Sequence, residues 1–492
     1  MLFFNASTRL DRLNLNGAFS LLAGLGVRLA GAPVVHFACE SGLRPCVLGT
    51  DRTAPGKLPP CGGCTALSRR LYPEIERVPF TYEPSPALET LLQGLSLADL
   101  PGFVYEDLPL GSLVLPSLRW ILRRHHIEDD PAALHLFRQY ILSAWSTAGA
   151  FNHLLDRSDP RAVVVFNGMF YPEATARFLA QGRGVPVISH EVGLQPDSAF
   201  FTHGEATAYP IDIPDSFELT PEQDSRLDAY LEKRLQGNFS MAGIRFWPEM
   251  HSLDEAFWQR ARSFKQIVPV FTNVVFDTSQ GHANVVFPDM FAWLDAVLSV
   301  MRAHPETFFV VRAHPDETRP GKESRESVAA WAQRSRLAGL PNVLFVDSRE
   351  YFSSYELIQN SKFVIVYNST IGLEASILGA PVLCGGRARF TQLPTVFFPQ
   401  TADGFTRQAE EFLEADSIAV PTEFRRNARR FLYVQLFRTS LPFGHYLEED
   451  GVWRGYVRLK TFPWQDLLAE NNPSMRVIVD GILNHAPFLL EP

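Results

Sequence analysis

A chain of 492 residues exceeds one ordinary domain and suits two with a tail. With 46% hydrophobic and 20% charged residues and no low-complexity tract, it is neither disordered nor fibrous, and it can bury a sizeable core. A net charge of −9 argues against a protein that grips nucleic acid by neutralising phosphates, and no run reaches the ~18–20 uninterrupted apolar residues of a membrane span.

The apolar stretch from Ala18 to Ala38 is broken by Arg28, Pro33 and several glycines. It reads as a helix leading into a strand at Val34-Val35-His36-Phe37 rather than as a signal peptide, and no strand is expected ahead of it. The segment 39–64 then carries Cys39, Cys46, Cys61 and Cys64 at C-x6-C-x14-C-x2-C spacing. Cys61-Gly-Gly-Cys64 has the knuckle spacing of a tetrahedral zinc site, whereas the first pair is wider than usual. A structural zinc that pins the loop is one reading; redox or iron–sulfur cysteines and plain thiols are the others. The chain reads as cytoplasmic, where a disulfide is disfavoured.

From Leu88 to Leu155 the pattern is mostly helical, with turn signals at Pro101-Gly102 and Pro116. A βαβ unit follows: strand Ala162 to Phe166, turn Asn167-Gly168, helix Pro172 to Gln181, and strand Val185 to Ser189. Asp212 to Glu249 is polar and reads as linker plus helix. A second series places strands at Ile267–Phe271, Thr307–Val311, Val343–Val346, Phe363–Val366 and Pro381–Cys384, with helical patterns between them. Such alternation implies a parallel sheet with right-handed crossovers. After Gln400 the pattern turns helical, and a tail with Trp453, Tyr456 and Trp464 ends in a helix near Met475 to Leu483. The fold expected is α/β: two Rossmann-like domains facing a cleft, with a helical carboxyl-terminal tail. Its boundaries are 1–255 for the first α/β domain, 256–425 for the second, and 426–492 for a tail crossing back. Basic clusters at Arg69-Arg70, Arg123-Arg124 and Arg425 to Arg430 read as solvated helix faces. For the last of them, contact with an anionic membrane surface or glycan is the alternative.

Chemistry concentrates where strands of the second series end, the place at which open α/β sheets collect ligands. One strand ends in Arg312-Ala313-His314-Pro315-Asp316, where Pro315 stops the ladder and His314 can meet a phosphate. Another ends in Asn368-Ser369-Thr370, followed by Ile371-Gly372-Leu373-Glu374. Hydroxyls and free N–H groups at a helix start suit a phosphate. Gly372 leaves room for close approach, and Glu374, a turn from Thr370, can accept from ribose or sugar hydroxyls. Capping is the plain alternative, but neither hydroxyl has its Glu at capping-box spacing. In the first series His190, Glu191 and Gly193 follow directly after a strand. A carboxylate or imidazole at such a strand end can take the proton of an attacking hydroxyl. Glu191 is the candidate base, with His190, Asp197 and His203 as rivals, and orienting the loop is its bland alternative. Asn167, at the preceding strand tip, adds an acceptor contact.

The run RAHPDE … LIQNSKFVIVYNSTIGLEASILGAPVLCGG resembles the donor half of GT-B glycosyltransferases that build bacterial capsules and other surface polysaccharides. It is particularly similar to the capsule polysaccharide biosynthesis group that includes Kdo transferases. The resemblance implies donor-nucleotide contacts by His314 and Pro315, and phosphate and ribose contacts by Ser369, Thr370 and Glu374. A looser likeness over VFTNVVFDTS implies that Thr272 and Asn273 face the donor phosphates or the cleft. The implied activity is transfer of a sugar from a CMP- or UDP-linked donor to a glycan or lipid-linked acceptor. No cofactor is expected for the transfer itself, no nucleic acid partner, and at most peripheral contact with the inner membrane face. A nucleotide-sugar 2-epimerase and a polyol-phosphate transferase share the fold, and a non-catalytic nucleotide- or glycan-binding protein is the alternative of another class.

Overall fold

The computed structural model describes residues 1–6, 12–54, 56–72, 76–128, 130–235, 250–452 and 455–491. The end of the expected linker, 236–249, and Trp453 lie outside the described residues.

The first unit contains β1 (Leu2–Asn5), α1 (Leu15–Leu29), β2 (Val35–Cys39), α2 (Cys61–Leu71), β3 (Glu76–Phe80), α3 (Pro86–Gln93), α4 (Leu110–Leu122), α5 (Pro131–Ser158), β4 (Val163–Phe166), α6 (Tyr171–Gly182), β5 (Val187–Val192) and β6 (Ser198–Thr202); α7 (Pro221–Leu235) follows them in sequence but packs in the second unit's core. β1 to β5 run parallel in the order β5-β4-β1-β2-β3, and β6 closes one side antiparallel to β5. The sheet is therefore doubly wound, and its strand order reverses between β1 and β4. All four residues of β4 are buried, as befits a β-branched run covered on both faces. α1 and α5 pack as long helices whose starts are capped by Asn14 and Asp130, each accepting a backbone N–H of the first turn.

The leading strand is a correction. Residues Leu2 to Asn5 form the strand between β2 and β4, although no strand was expected there. Four residues at a terminus are too few to display a period, so their place is set by pairing with strands 33 and 161 residues away.

The second unit contains α8 (Glu255–Ala261), β7 (Gln266–Phe271), α9 (Gln280–Ala283), α10 (Met290–Ala303), β8 (Thr307–Arg312), α11 (Val328–Arg334), β9 (Val343–Val346), α12 (Ser354–Gln359), β10 (Val364–Val366), α13 (Ile371–Ile377), β11 (Val382–Cys384), α14 (Ala402–Glu414) and α15 (Thr422–Tyr433). Its five strands are all parallel in the order β11-β10-β7-β8-β9, with the reversal between β7 and β10. Tyr209, Ile211 and Leu227 pack in this unit's core, so the chain enters it well before residue 255.

The chain then leaves through a π-helical turn, Val434–Arg438, and returns to the first sheet, where β12 (Leu441–Pro442) pairs with β6. β13 (Leu447–Glu449) and β14 (Val457–Leu459) form a hairpin, and α16 (Pro473–Asn484) packs on α1. The tail is thus helical at its end but carries three short strands before it. The basic run at 425–430 is displayed only in part: Arg425 and Arg426 are exposed, Arg429 is half-buried and Arg430 is buried. Arg426 pairs with Glu218, Arg429 with Asp224 and Asp228, and Arg430 is buried against backbone carbonyls of residues 214–217.

Candidate active site

The carboxyl ends of the two sheets face each other. The loop after β4 brings Met169 against Gly281 of α9, which follows β7. Thr207 meets His282 at 2.8 Å, and Arg389 lies 3.7 Å over the ring of Tyr209. Tyr209 in turn donates to the carbonyl of Val192 at the end of β5. Both switch points therefore open on one cleft, the geometry in which such sheets bind ligands.

On the first sheet, Asn167 ends β4 at φ +59°, a left-handed position that Asn tolerates better than most residues. Its amide donates to Glu191 Oε2 at 2.8 Å, and the amide of Asn16, at the start of α1, donates to Glu191 Oε1 at 3.2 Å. The N–H of Val192 also donates to Oε1. Two carboxamides thus hold one carboxylate at the switch point. Beside them lies a cavity with about 400 Å³ of free space counting its open mouth, lined by Asn14, Asn16, Phe166, Phe170 and Glu173 among others. Asn16 is only 8% exposed, and its Oδ1 has no partner. A buried acceptor of this kind calls for a donor, such as a ligand hydroxyl.

On the second sheet, at the ends of β7 and β10, the side-chain amide of Asn273 donates a hydrogen bond to Oδ1 of Asn368 at 2.7 Å across the reversal. Nδ1 of His314 accepts from the N–H of Asp316 at 3.1 Å, which fixes the neutral ring with its proton on Nε2. Burial pushes the His314 imidazole below its ordinary range, and Asp316 only partly opposes this. The ring accordingly presents a neutral Nε2–H rather than a charge. Pro315 starts the short 3-10 turn that follows. Ser369 is buried and Thr370 exposed, and Thr370 makes no side-chain capping bond.

Four expected site residues do not belong to the cleft. His190 is fully buried between Phe166 and Phe201, with neither ring nitrogen partnered, and burial pushes it down to about 3. Alternation along β5 turns it away from the side that Glu191 occupies, so it is a core residue and not a base. Thr272 is buried and donates to the carbonyl of Arg312 at 3.0 Å, tying β7 to β8. At Gly372 a Cβ would meet Val366 at 2.9 Å and Phe390 at 3.1 Å, so this glycine admits a neighbouring strand, not a ligand. Glu374 is 5% exposed; it accepts from Arg234 at 2.6 Å and from the Tyr355 hydroxyl, which commits its carboxylate inside the protein. The rivals to Glu191 sit elsewhere: His203 bonds the Ala486 carbonyl of the tail, and Asp197 lies against Gly444.

Sequence reasoning missed a cationic group. Arg123 and Arg124 are 3% and 7% exposed rather than solvated. The guanidinium of Arg123 lies 4.2 Å over Trp120 and 4.9 Å over Phe276 of the opposite unit, and its Nε and Nη1 have no partner. Burial pushes Arg123 down to about 10, and the nearby positive charges of Arg52 and Arg319 act in the same direction. A buried guanidinium with two unsatisfied nitrogens, near Arg52 and Arg319 and only partly offset by Glu323 and Asp277, is a place for an anion. Asp277, in the loop after β7, is exposed and within electrostatic reach of Arg123, His282 and His314. The only signal in the sequence was the Arg123-Arg124 pair itself.

Residues 249–410 match the family model described as capsule polysaccharide biosynthesis protein, which bears out the resemblance read from the second unit. Protein FixF of Sinorhizobium fredii is 32% identical over 98 residues, which are 20% of this chain and 21% of that protein. The match thus spans about a fifth of the curated relative's length. Among solved structures, the β Kdo 2,4 transferase of Thermosulfurimonas dismutans KpsC aligns over 61% of this chain and 85% of its own at 13% identity and TM-score 0.39. A UDP-GlcNAc 2-epimerase from Neisseria meningitidis bound to UDP-GlcNAc aligns over 59% and 80% at 14% identity and TM-score 0.28. At these scores the architecture is read from the two sheets themselves, which have the paired, cleft-facing form of GT-B.

Proposed function

We propose that the chain is a glycosyltransferase of surface polysaccharide biosynthesis. It moves a sugar from a CMP- or UDP-linked donor held by the second sheet to a hydroxyl of a glycan or lipid-linked acceptor held at the first. The observation that carries this reading is the pair of switch points across one cleft. One presents a carboxylate oriented by Asn16 and Asn167, the other the uncharged donor His314 beside Asn273 and Asn368.

In a direct displacement the acceptor hydroxyl attacks the anomeric carbon and its proton passes to Glu191. The bond between that carbon and the nucleotide's phosphate oxygen breaks, and negative charge grows on the phosphate. His314 Nε2–H, the hydroxyls of Ser369 and Thr370, and the arginine group around Arg123 are the donors that would meet it. The free Oδ1 of Asn16 would accept from a second acceptor hydroxyl and fix the sugar's orientation. No metal is assigned to the transfer step, since no Asp-x-Asp pair recommends itself at a strand end. Catalysis is placed in the cytoplasm, with any membrane contact peripheral; among the described residues no helix is long and apolar enough to cross a membrane.

The test is a thermal-shift screen against CMP, UDP, GDP and CDP, with His314→Ala in parallel, followed by transfer assays with Glu191→Gln. Selective stabilisation by one nucleotide, lost in His314→Ala, is expected. Glu191→Gln should lower turnover by roughly 10²-fold or more while nucleotide binding persists. Absence of any nucleotide shift would sink the donor site. Donor turnover without acceptor would mark a 2-epimerase instead.

A further inference from the structure

Behind the acceptor cavity lies a second one, and all four cysteines of the segment 39–64 line it, together with Leu43 and Pro59. The sulfurs arrive from three places: Cys39 ends β2, Cys46 comes from the following loop, and Cys61 and Cys64 lie in the first turn of α2. No disulfide joins them. Two of the sulfurs already accept backbone N–H groups in the same local pattern. Gly42 donates to Cys39 Sγ at 3.3 Å and Gly49 to Cys46 Sγ at 3.1 Å, each three residues on. A Cβ at Gly49 would stand 2.9 Å from Cys46 Sγ, so the close approach needs glycine there. N–H groups aimed at sulfur suit a thiolate, the form that binds metal.

Burial pushes Cys39 and Cys46 up to about 12, and the other cysteines of the group add to this. Spacing separates the metals. A single tetrahedral zinc with bonds of about 2.3 Å needs its sulfurs roughly 3.8 Å apart. Among the described residues, the one group of three or more ligand atoms mutually within 4.8 Å is His125, His126 and Asp289, and it includes none of these cysteines. A [4Fe–4S] cluster attaches its four thiolates to four separate irons and holds them wider apart.

We propose that Cys39, Cys46, Cys61 and Cys64 ligate an iron–sulfur cluster that fastens the 39–64 segment to the end of β2. Ligation exchanges four thiol protons, released to solvent, for four iron–sulfur bonds. Its role is positional. The cluster cavity and the acceptor cavity share Ala6, Leu43 and Cys46, so one wall serves both. The same segment carries Arg52, which donates to the Gly321 carbonyl of the second unit at 3.1 Å and stands near Arg123. The cluster thereby anchors a loop that walls one site and reaches the other.

The experiment is metal analysis of the full chain, expressed and isolated without oxygen, before and after reconstitution with ferrous iron and sulfide. Iron and acid-labile sulfide near one cluster per chain, with visible charge-transfer absorption, are expected. Cys61→Ser/Cys64→Ser should lose both at unchanged far-UV circular dichroism, and trypsin should then cut after Arg52 or Lys57 at least tenfold faster. Stoichiometric zinc without sulfide would overturn the cluster in favour of a single ion. Neither metal after reconstitution would overturn it in favour of plain thiols. Should the double variant not fold, the metal content of the native chain decides alone.

Discussion

Glu374 divides a ligand role from a structural one, and Glu374→Gln tests which holds. The native carboxylate is 5% exposed, bonded to Arg234 Nε at 2.6 Å and to the Tyr355 hydroxyl. Burial alone would pull Arg234 down, but Glu374 more than reverses it and holds the guanidinium above its ordinary range. Removing one partner of a buried pair leaves the other uncompensated and costs about 3–5 kcal/mol. The Arg234 side chain keeps 22% of its exposure, so the low end applies, about 3 kcal/mol. For a unit of this size that corresponds to ~6–12 °C in Tm. Replacing both residues, as Arg234→Leu/Glu374→Leu, should recover most of the loss, because an apolar pair needs no compensation. The assay is thermal unfolding with and without the preferred nucleotide. A Glu374→Gln protein that melts like wild type but binds nucleotide tenfold more weakly would refute this reasoning and return the carboxylate to the ligand.

Gly372→Ala should destabilise by about 1–3 kcal/mol through the clash with Val366 and Phe390, and leave nucleotide affinity unchanged; lower affinity at unchanged stability would restore the ligand reading. Arg123→Gln should weaken nucleotide binding on the order of tenfold, the loss of one charge-assisted contact of about 1.5 kcal/mol. The corresponding nucleoside should bind equally to both proteins, and equal losses for the two ligands would contradict an anion site. Acid stability offers a further check, since burial pushes His36 and His190 to about 3. The unfolded chain takes up protons below pH ~6.5 that the folded one refuses, so stability is full above that pH and falls toward pH 3 by about 1.4 kcal/mol per unit for each ring. His190→Phe should flatten that slope, and an unaltered acid limb in urea titrations would count against a buried neutral ring.

What could be read ahead of the structure was what the chain states locally. The strands of the second unit alternate with helices at a period each segment carries in itself, and His314 announces a strand end because Pro315 cannot extend the ladder. Glu191 was legible for the same reason, as a carboxylate just past an apolar run. The misreadings share one cause, partners distant in sequence. Glu374 stands a turn from Thr370, but its fate is set by Arg234, 140 residues earlier. Arg123 belongs to a basic pair that looks solvated, and only the arrival of Phe276 from the opposite unit encloses it. β1 is too short to carry a period and exists because two strands flank it. The four cysteines lie between these cases. Their spacing named them and left zinc, redox or iron–sulfur cysteines and plain thiols open, because spacing along the chain does not say how β2, the loop after it and α2 bring the sulfurs to one cavity. Local chemistry therefore identifies which residues can act, and tertiary packing decides which of them remain free to do so.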